Sequence, residues 1–553
     1  MKTLLVILSF VAMATGCAGL APQPAGFVDV KILGINDFHG NLKPGADGIL
    51  IADPNDNTKK IQVAAGGSEH LATLVKDLRA KNTHNVFVAA GDLIGASPML
   101  SAMFHDEPTI ESLSIMDLEV TSVGNHEFDH GKDELIRKQK GGCHPKDGCK
   151  GPQPFKGARF QYLAASTIDT KSGETIFPAY YVKTFDGVSV AFIGLTLKGT
   201  PKVVLPKGIE GLEFKDEADT VNALVPKLKK QNIEAIVVLI HEGGFPTGDY
   251  NECPGISGPI VDIVKKFDKA VDLVISGHTH KAYNCVIDGR LVTSGDKYGT
   301  IVSEIDVTLD RKTRDIVYAK ANNIIVRTDT YAKDPAQTRL IAEYEKLSAT
   351  LTDRVVGSIT SPLLRNENAA GETTLGNVIA DAQLAATSAE KDGGAVIAFV
   401  NVGAMRSGIA KKEDGKVTYG DIFASQPFSN PLITLTLTGE QIKRILEQQW
   451  LDQPKPRVLQ VSRGFTYSWD HGRPVGDRVI AESIKLNGQP IGMKQSYRIT
   501  ANEFLSTGGD GFSVMKEGKE RLLGVFDLEA LEAYLQANSP VSPGKLDRIQ
   551  RIN

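Results

Sequence analysis

Five times in the first 280 residues, an apolar strand-like run ends in residue types that bind metal ions. Val28 to Ile35 leads into Asn36-Asp37-Phe38-His39, Val86 to Ala90 into Gly91-Asp92, and Val120 to Val123 into Gly124-Asn125-His126-Glu127. Ala235 to Ile240 ends at His241, and Val271 to Ile275 runs into Ser276-Gly277-His278-Thr279-His280. Near-continuous apolar strands are those covered on both faces, and ligands collect beyond the carboxyl ends of such strands. A mixed α/β fold is expected, with its polar side chains gathered at one edge of the sheets.

Singly, each run has an ordinary explanation. Asp37-x-His39 suits a surface turn, Asp92 after a glycine a helix cap or turn, and His241 a core histidine. Together they offer carboxylate, amide and imidazole donors without thiolate, a set that suits Mn, Zn, Fe or Co better than Ca or Mg alone. If Asp37 and His39 continue an extended strand, residues two apart share a face and grip one ion. Ten of the eleven histidines precede residue 285, which confines imidazole chemistry to the N-terminal part. His70, His84, His105, His130 and His144 belong to no such run and read as surface or structural.

A chain of 553 residues holds more than one ordinary domain. Leu340, Ile341, Tyr344, Leu347 and Leu351 recur at helical spacing after Asp334-Pro335, a helix start. The expected plan is a domain over 27–330, a linker helix over 331–355 and a second domain over 356–553. Lys+Arg is 62 against Asp+Glu 66, a net charge of −4, so there is no counterion-release drive toward a nucleic-acid polymer. No apolar run approaches the roughly 20 residues that span a bilayer, which excludes a multipass membrane protein.

Residues 1–17 read as targeting rather than fold. Lys2, the apolar stretch Leu4 to Ala14 and the small residues Ala14-Thr15-Gly16 form a signal peptide. Cys17 follows, and Ala14-Thr15-Gly16-Cys17 resembles a bacterial lipobox, with Ala14 where leucine is usual. Lipidation of Cys17 would leave a lipid anchor as the only membrane contact; the alternative is an ordinary secreted protein. Either reading is of an exported protein, in the periplasm or on the outer-membrane or cell surface. The remaining cysteines, Cys143, Cys149, Cys253 and Cys285, are even in number, as a disulfide framework requires. Short spacing favours Cys143 with Cys149 and leaves Cys253 with Cys285, among three connectivities. A structural zinc is the rival, without any C-x-x-C pair to support it.

Taken in order, Asp37-x-His39, Gly91-Asp92, Gly124-Asn125-His126-Glu127, His241 and Gly277-His278-Thr279-His280 resemble the five signatures of the calcineurin-like metallophosphatases. The resemblance covers residues 31–280 and implies a four-layer α/β/β/α sandwich holding two divalent ions, Zn, Mn, Co or Fe, with Mg as a further option. It implies that Asp37, His39, Asp92 and His280 bind one ion, and Asp92, Asn125, His241 and His278 the other. Asp92 suits a bridge because a carboxylate has two oxygens, one for each ion. Two ions about 3.5–4 Å apart lower the pKa of a shared water and clamp phosphoryl oxygens during in-line attack. The family's catalytic dyad falls on His126 and Asp129. His126 stabilises the transition state or protonates the leaving oxygen, and Asp129 fixes its tautomer.

The C-terminal half narrows the substrate. Thr373-Thr374-Leu375-Gly376-Asn377, Asn401 to Arg406, Gln426-Pro427-Phe428 and Asn502 to Phe512 stand in the order of the 5'-nucleotidase C-terminal domain. Almost the whole chain therefore resembles the bacterial 5'-nucleotidase and UDP-sugar hydrolase family. By that resemblance Phe428 and Phe504 sandwich the base, Asp510 accepts from the ribose hydroxyls, and Arg406 and Arg365 hold phosphate oxygens. Asn401 completes the phosphate and ribose contacts. The rings would contribute about 1–3 kcal/mol per base. One departure is that Val402-Gly403-Ala404-Met405 stands where many relatives have Gly-Gly-Gly-Ile before the arginine.

The implied activity is hydrolysis of nucleoside 5'-phosphates, extending to UDP-sugars or NAD, by a monomer or weak dimer whose C-terminal domain rotates to carry nucleotide to the metals. A 2',3'-cyclic phosphodiesterase with 3'-nucleotidase activity shares every metal ligand, so only the C-terminal motifs separate it. A catalytically dead nucleotide-binding lipoprotein is the rival from another class, and lost ligands would mark it.

Overall fold

The computed structural model describes residues 26–45 and 48–553, so the leader-like segment and Cys17 lie outside the described residues. The first strand, Phe27–Ile35, lies at the centre of a six-stranded sheet. It runs parallel to Asn85–Ala89 and antiparallel to Ile301–Asp310, and the sheet continues in parallel through Val120–Ser122 and Gln161–Leu163. A second six-stranded sheet sets Val188–Thr196, Ala235–His241, Leu273–Ser276 and Arg290–Gly295 side by side in parallel.

The two sheets pack face to face. Val30, Ile32, Val86 and Val88 from the first meet Phe192, Val237, Leu239 and Ile275 from the second. Helices cover the outer faces. Leu71, Val75 and Leu78 of Ser68–Ala80 seal the first sheet, and Val221, Leu228, Ile260 and Val264 of Glu217–Lys230 and Pro259–Lys266 seal the second. These are the four expected layers. They explain why the strands read as unbroken apolar runs, since both faces are dry. Each buried Val, Leu or Ile stabilises by about 1.5–3 kcal/mol relative to exposure, and Leu239→Ala in this seam costs about 2–5 kcal/mol.

Pro335–Thr352 is one helix, capped by Asp334, whose carboxylate accepts the Ala336 and Gln337 N–H groups at 2.9 and 3.1 Å. It is docked rather than free. Tyr344 packs edge-on against Phe104, and Gln337 bonds Ser112 through both its side-chain atoms, at 2.7 and 3.0 Å. The apolar stripe read from the sequence is only half used. Leu340, Ile341 and Tyr344 are buried, whereas Leu347 and Leu351 are exposed because the buried face continues through Ser348, with Thr352 against Met99, and leaves both leucines off it.

Beyond the helix a five-stranded sheet runs in the order Gln460–Val461, Ile397–Val400, Ser496–Asn502, Pro431–Thr438 and Lys519–Phe526. Helices Thr374–Thr387 and Asp527–Asn538 bury Leu375, Ile379, Leu528 and Leu531 with Val400 on one side. Helix Gly439–Glu447 buries Ile442 and Ile445 with Phe399 and Leu435 on the other. The cysteines are paired Cys143–Cys149 and Cys253–Cys285. Among the described residues, no helix is long and apolar enough to cross a membrane.

Candidate functional site

The carboxyl ends of the central strands of both sheets open on one point. There the chain leaves extended geometry, and Asp37, His39, Asp92, His278 and His280 all have left-handed φ, between 46° and 68°. Such backbone is rare for residues with side chains and persists where the surroundings fix it. This corrects the expectation that Asp37 and His39 share a face through strand alternation. Both lie beyond the strand, which ends at Ile35, and left-handed backbone at Asp37 and again at His39 turns them to the same place.

Two glycines make the approach of the segments possible. A Cβ on Gly91 would lie 2.7 Å from the Gly124 nitrogen, and one on Gly124 would lie 2.1 Å from Asp92 Oδ1. Glu127 ties the same two loops together. Its buried carboxylate accepts the N–H groups of Asp92, Leu93 and Gly124 at 2.9, 2.8 and 2.6 Å. The sequence reading gave this residue no role of its own.

Two donor clusters result. Asp37, His39 and His280 bring one ligand atom each to within 4.8 Å of one another, and so do Asp92, His241 and His278. Asp92 Oδ2 lies 2.9 Å from His241 Nε2 and 3.6 Å from His39 Nε2, so one oxygen faces both clusters. Its other oxygen accepts the His126 N–H at 2.8 Å. The same oxygen is therefore the one within reach of both clusters. His39 Nδ1 and His241 Nδ1 lie 2.9 and 2.8 Å from the carbonyls of Gly95 and Ala90, which accept their N–H groups and turn both Nε2 atoms inward.

The fit to cations is testable on the donors themselves. Asp37 Oδ1, Asn125 Oδ1 and His241 Nε2 are buried without a hydrogen-bond partner, although each is a strong donor or acceptor site. Burial opposes charge on Asp37, yet His280, His39 and His241 hold its carboxyl well below the ordinary range. Burial likewise pulls His241 down, but Asp92 and Asp37 outweigh it and raise its pKa to about 10. Two dry carboxylates thus draw a proton onto an imidazole, the place where a divalent ion satisfies the same field. The residues fit a two-ion centre.

His126 and Asp129 face this centre from the turn that follows Asn125. His126 Nδ1 lies 2.8 Å from Asp129 Oδ2. Burial lowers the imidazole pKa, but Asp129 and Asp92 prevail and raise it.

A cavity of about 380 Å³ lies above, shared between the two halves of the chain. Asp92, Asn125, His126, Asp129, His278 and His280 line one side, and Arg365, Asn401, Arg406, Phe428, Phe504 and Asp510 the other. Asp37, His39 and His241 lie fully buried beneath it. Arg406 Nη2 reaches 3.2 Å from His39 Nε2, and the Phe428 ring stacks on His126 with centroids 5.6 Å apart. Arg365 donates to the Arg406 carbonyl at 3.0 Å, and so does the Tyr298 hydroxyl. Asp510 accepts from Asn401 Nδ2 at 2.7 Å and pairs with Arg457.

Arg457, Lys455, Lys281 and Lys297 also line the cavity and were missed in the sequence. For Lys297 a signal existed. Strand Arg290–Gly295 runs into Gly295-Asp296-Lys297, a sixth use of the strand-end device. Lys455 and Arg457 lie in a polar loop with no such mark. By contrast, Thr373 serves locally, its hydroxyl capping a helix by accepting the Gly376 N–H at 2.9 Å.

Residues 30–282 match the calcineurin-like phosphoesterase family, and residues 355–517 match the 5'-nucleotidase C-terminal domain. The endonuclease YhcR of Bacillus subtilis is 32% identical over 95% of this chain and 41% of its own length. The cell wall protein Lmo0130 of Listeria monocytogenes is 32% identical over 90% of this chain and 65% of its own. This chain thus spans less than two thirds of both relatives. The crystal structure of a 5'-nucleotidase precursor from Thermus thermophilus has a TM-score of 0.78 at 25% identity, covering 95% of this chain and 100% of that one.

Proposed function

Because the chain belongs to the calcineurin-like metallophosphatases that carry a 5'-nucleotidase C-terminal domain, we propose that it hydrolyses nucleoside 5'-phosphates to nucleoside and phosphate in an exported compartment. One observation carries this reading. A single cavity sets Asn401, Arg406, Phe428, Phe504 and Asp510, the residues that the resemblance assigns to the nucleotide, against the His126–Asp129 pair and the two donor clusters.

Asp37, His39, Asp92 and His280 would hold one divalent ion, and Asp92, Asn125, His241 and His278 the other. Bound there, such a pair supplies a nucleophile at neutral pH and neutralises phosphoryl charge. The chain's own residues do the rest. Arg406, 3.2 Å from His39, holds phosphate oxygens in charge-assisted bonds beside the ions. Asp129 keeps the His126 Nδ1–H oriented and favours the protonated ring, so His126 donates its other proton to the departing 5'-oxygen. Phe428 swings off the His126 ring to stack on the base with Phe504, and Asp510 accepts from the ribose hydroxyls. The motion belongs to the half of the cavity built on the C-terminal domain.

Six cationic side chains line the cavity: Lys281, Lys297, Arg365, Arg406, Lys455 and Arg457. Five carboxylates, Asp92, Asp106, Asp129, Glu367 and Asp510, share that lining, and Asp510 pairs with Arg457; the lysines beside Arg365 and Arg406 support pyrophosphate-bearing substrates, UDP-sugars or NAD, as a second class. Two disulfides support the exported setting.

Phosphate release from 5'-AMP and 3'-AMP, measured side by side with added Mn²⁺ and then with chelator, tests the reading. Chelator-sensitive release from 5'-AMP is expected. Preference for 3'-AMP would keep the metal centre and overturn the nucleotide orientation. Cleavage of single-stranded DNA in place of either would favour the activity named for the Bacillus subtilis relative.

A further inference from the structure

Beyond strand Arg290–Gly295 the chain makes a short loop, Asp296-Lys297-Tyr298-Gly299, and the first strand-end loop fixes its backbone. The Asn36 side chain accepts the Gly295 N–H and donates to the Asp296 carbonyl, and the Tyr298 N–H bonds the Asp37 carbonyl, all at 2.7 Å. Asp296, Tyr298 and Gly299 are left-handed, with φ of 59°, 58° and 69°. For a tyrosine that backbone is uncommon and persists where the surroundings hold it. At Gly299 a Cβ would stand 2.9 Å from the Phe38 ring, so the turn requires glycine there.

Held this way, the Tyr298 ring packs edge-on against His39 and His280, with centroids 5.9 and 5.8 Å apart. Both imidazoles belong to one donor cluster. Lys297 Nζ lies 4.8 Å from the centroid of the same ring. The Tyr298 hydroxyl crosses to the C-terminal domain and donates to the Arg406 carbonyl at 3.0 Å.

We propose that Tyr298 is a positioning residue for Arg406: it sets where that guanidinium stands relative to the donor clusters when the two domains are together. The proposal rests on the nucleotidase reading for the role of Arg406 as a phosphate holder. Arg406 is gripped at both ends by the metallophosphatase wall. Its carbonyl accepts from Tyr298, its Nη2 stands 3.2 Å from His39 Nε2, and the rings of Tyr298 and His39 pack on each other. From its own domain, the Arg406 N–H bonds the Ser425 carbonyl at 2.8 Å, and Arg365 donates to the Arg406 carbonyl at 3.0 Å. A carbonyl oxygen has two lone pairs, so the bonds from Arg365 and Tyr298 coexist. Tyr298 borders a neighbouring cavity of about 370 Å³, and Arg406 lines both that cavity and the substrate cavity. The hydroxyl therefore acts through Arg406. A group that holds phosphate oxygens must be placed closely, since a shift of about 1 Å at a reacting centre costs as much as a hundredfold in rate.

Tyr298→Phe keeps the ring against His39 and His280 and removes only the hydroxyl. Metal content is expected to stay at the wild-type level, while kcat/KM falls by about 2- to 12-fold on 5'-AMP and on a small aryl phosphate alike. Arg406→Ala retains the backbone carbonyl but has no guanidinium to place, so adding Tyr298→Phe to it should cost nothing further. The same fractional loss in both backgrounds would overturn the proposal, and so would metal lost from Tyr298→Phe, which would make the hydroxyl a support of the ligands. Amide exchange of residues 402–408 gives a readout free of turnover. It should quicken by about 2- to 12-fold in Tyr298→Phe, and unchanged exchange would overturn the tie even in an active enzyme. Quickened exchange in a protein inactive on 5'-AMP would keep the tie to Arg406 and overturn the nucleotidase reading instead.

Discussion

The two walls of the cavity are built differently. On the metallophosphatase side, the donors follow directly from strand ends: Asp37, His39, Asp92 and His241 are all 1% exposed or less. Backbone carbonyls hold the imidazoles, and Glu127 ties the loops behind them. On the C-terminal side, Arg365, Phe428, Lys455 and Arg457 sit in loops, partly exposed, and contact a backbone carbonyl, the His126 ring, the Phe245 ring and the Asp510 carboxylate respectively. Chemistry on a phosphorus atom needs donors fixed to a fraction of an ångström, which a strand in a packed sandwich provides. Recognition of a flat base and a sugar tolerates adjustment, which loops provide.

If that contrast is right, damage to the rigid wall removes turnover whatever the substrate, whereas damage to the loop wall discriminates between substrates. The largest effect is expected for Asp92→Asn, which removes charge from the oxygen facing both clusters. Bound metal should fall and turnover drop by more than about a thousandfold on 5'-AMP and on a small aryl phosphate alike. Full metal content with normal rate would sink the shared-oxygen geometry.

His126→Ala comes next, with turnover on 5'-AMP lowered by about two to four powers of ten while metal content stays at the wild-type level. Near-normal kcat would remove His126 from the proton transfer. Arg406→Ala loses charge-assisted bonds worth about 1.5–3 kcal/mol, roughly a 10- to 150-fold drop in kcat/KM. Since Arg406 reaches the metal wall, the aryl phosphate should suffer too, and an unaffected aryl phosphate would return Arg406 to pure nucleotide recognition.

Smallest, and most specific, is Phe504→Ala. Losing one stacking ring costs about 1–3 kcal/mol on 5'-AMP and should leave the aryl phosphate unchanged. An equal loss on both substrates would mean that Phe504 supports the fold, where its ring packs against Gly509, rather than the base.

Much of the rigid wall was legible in the sequence because its signal is local. A run such as Ala235 to Ile240 announces a doubly covered strand, and the next residue, His241, inherits a fixed position from it. Even so, the reason Asp37 and His39 converge was misread, because left-handed backbone leaves little trace in residue type when the residue is not glycine. The loop wall was legible only through resemblance. Arg457 has no pattern around it, and its pairing with Asp510 spans 53 positions.

What the sequence alone determined is that these strands are covered on both faces and where the donors stand along them, since apolar runs and their polar ends depend only on neighbours in the chain; the four layers came with the resemblance. Tertiary structure decided which oxygen of Asp92 faces both clusters, which lysines border the cavity, and that Arg406 reaches His39 across 367 positions. It also decided that the Tyr298 hydroxyl meets the Arg406 carbonyl. The physical reason is the same in each case. Electrostatics and coordination act through space over a few ångströms, and distance along the chain says nothing about that separation until the layers have packed.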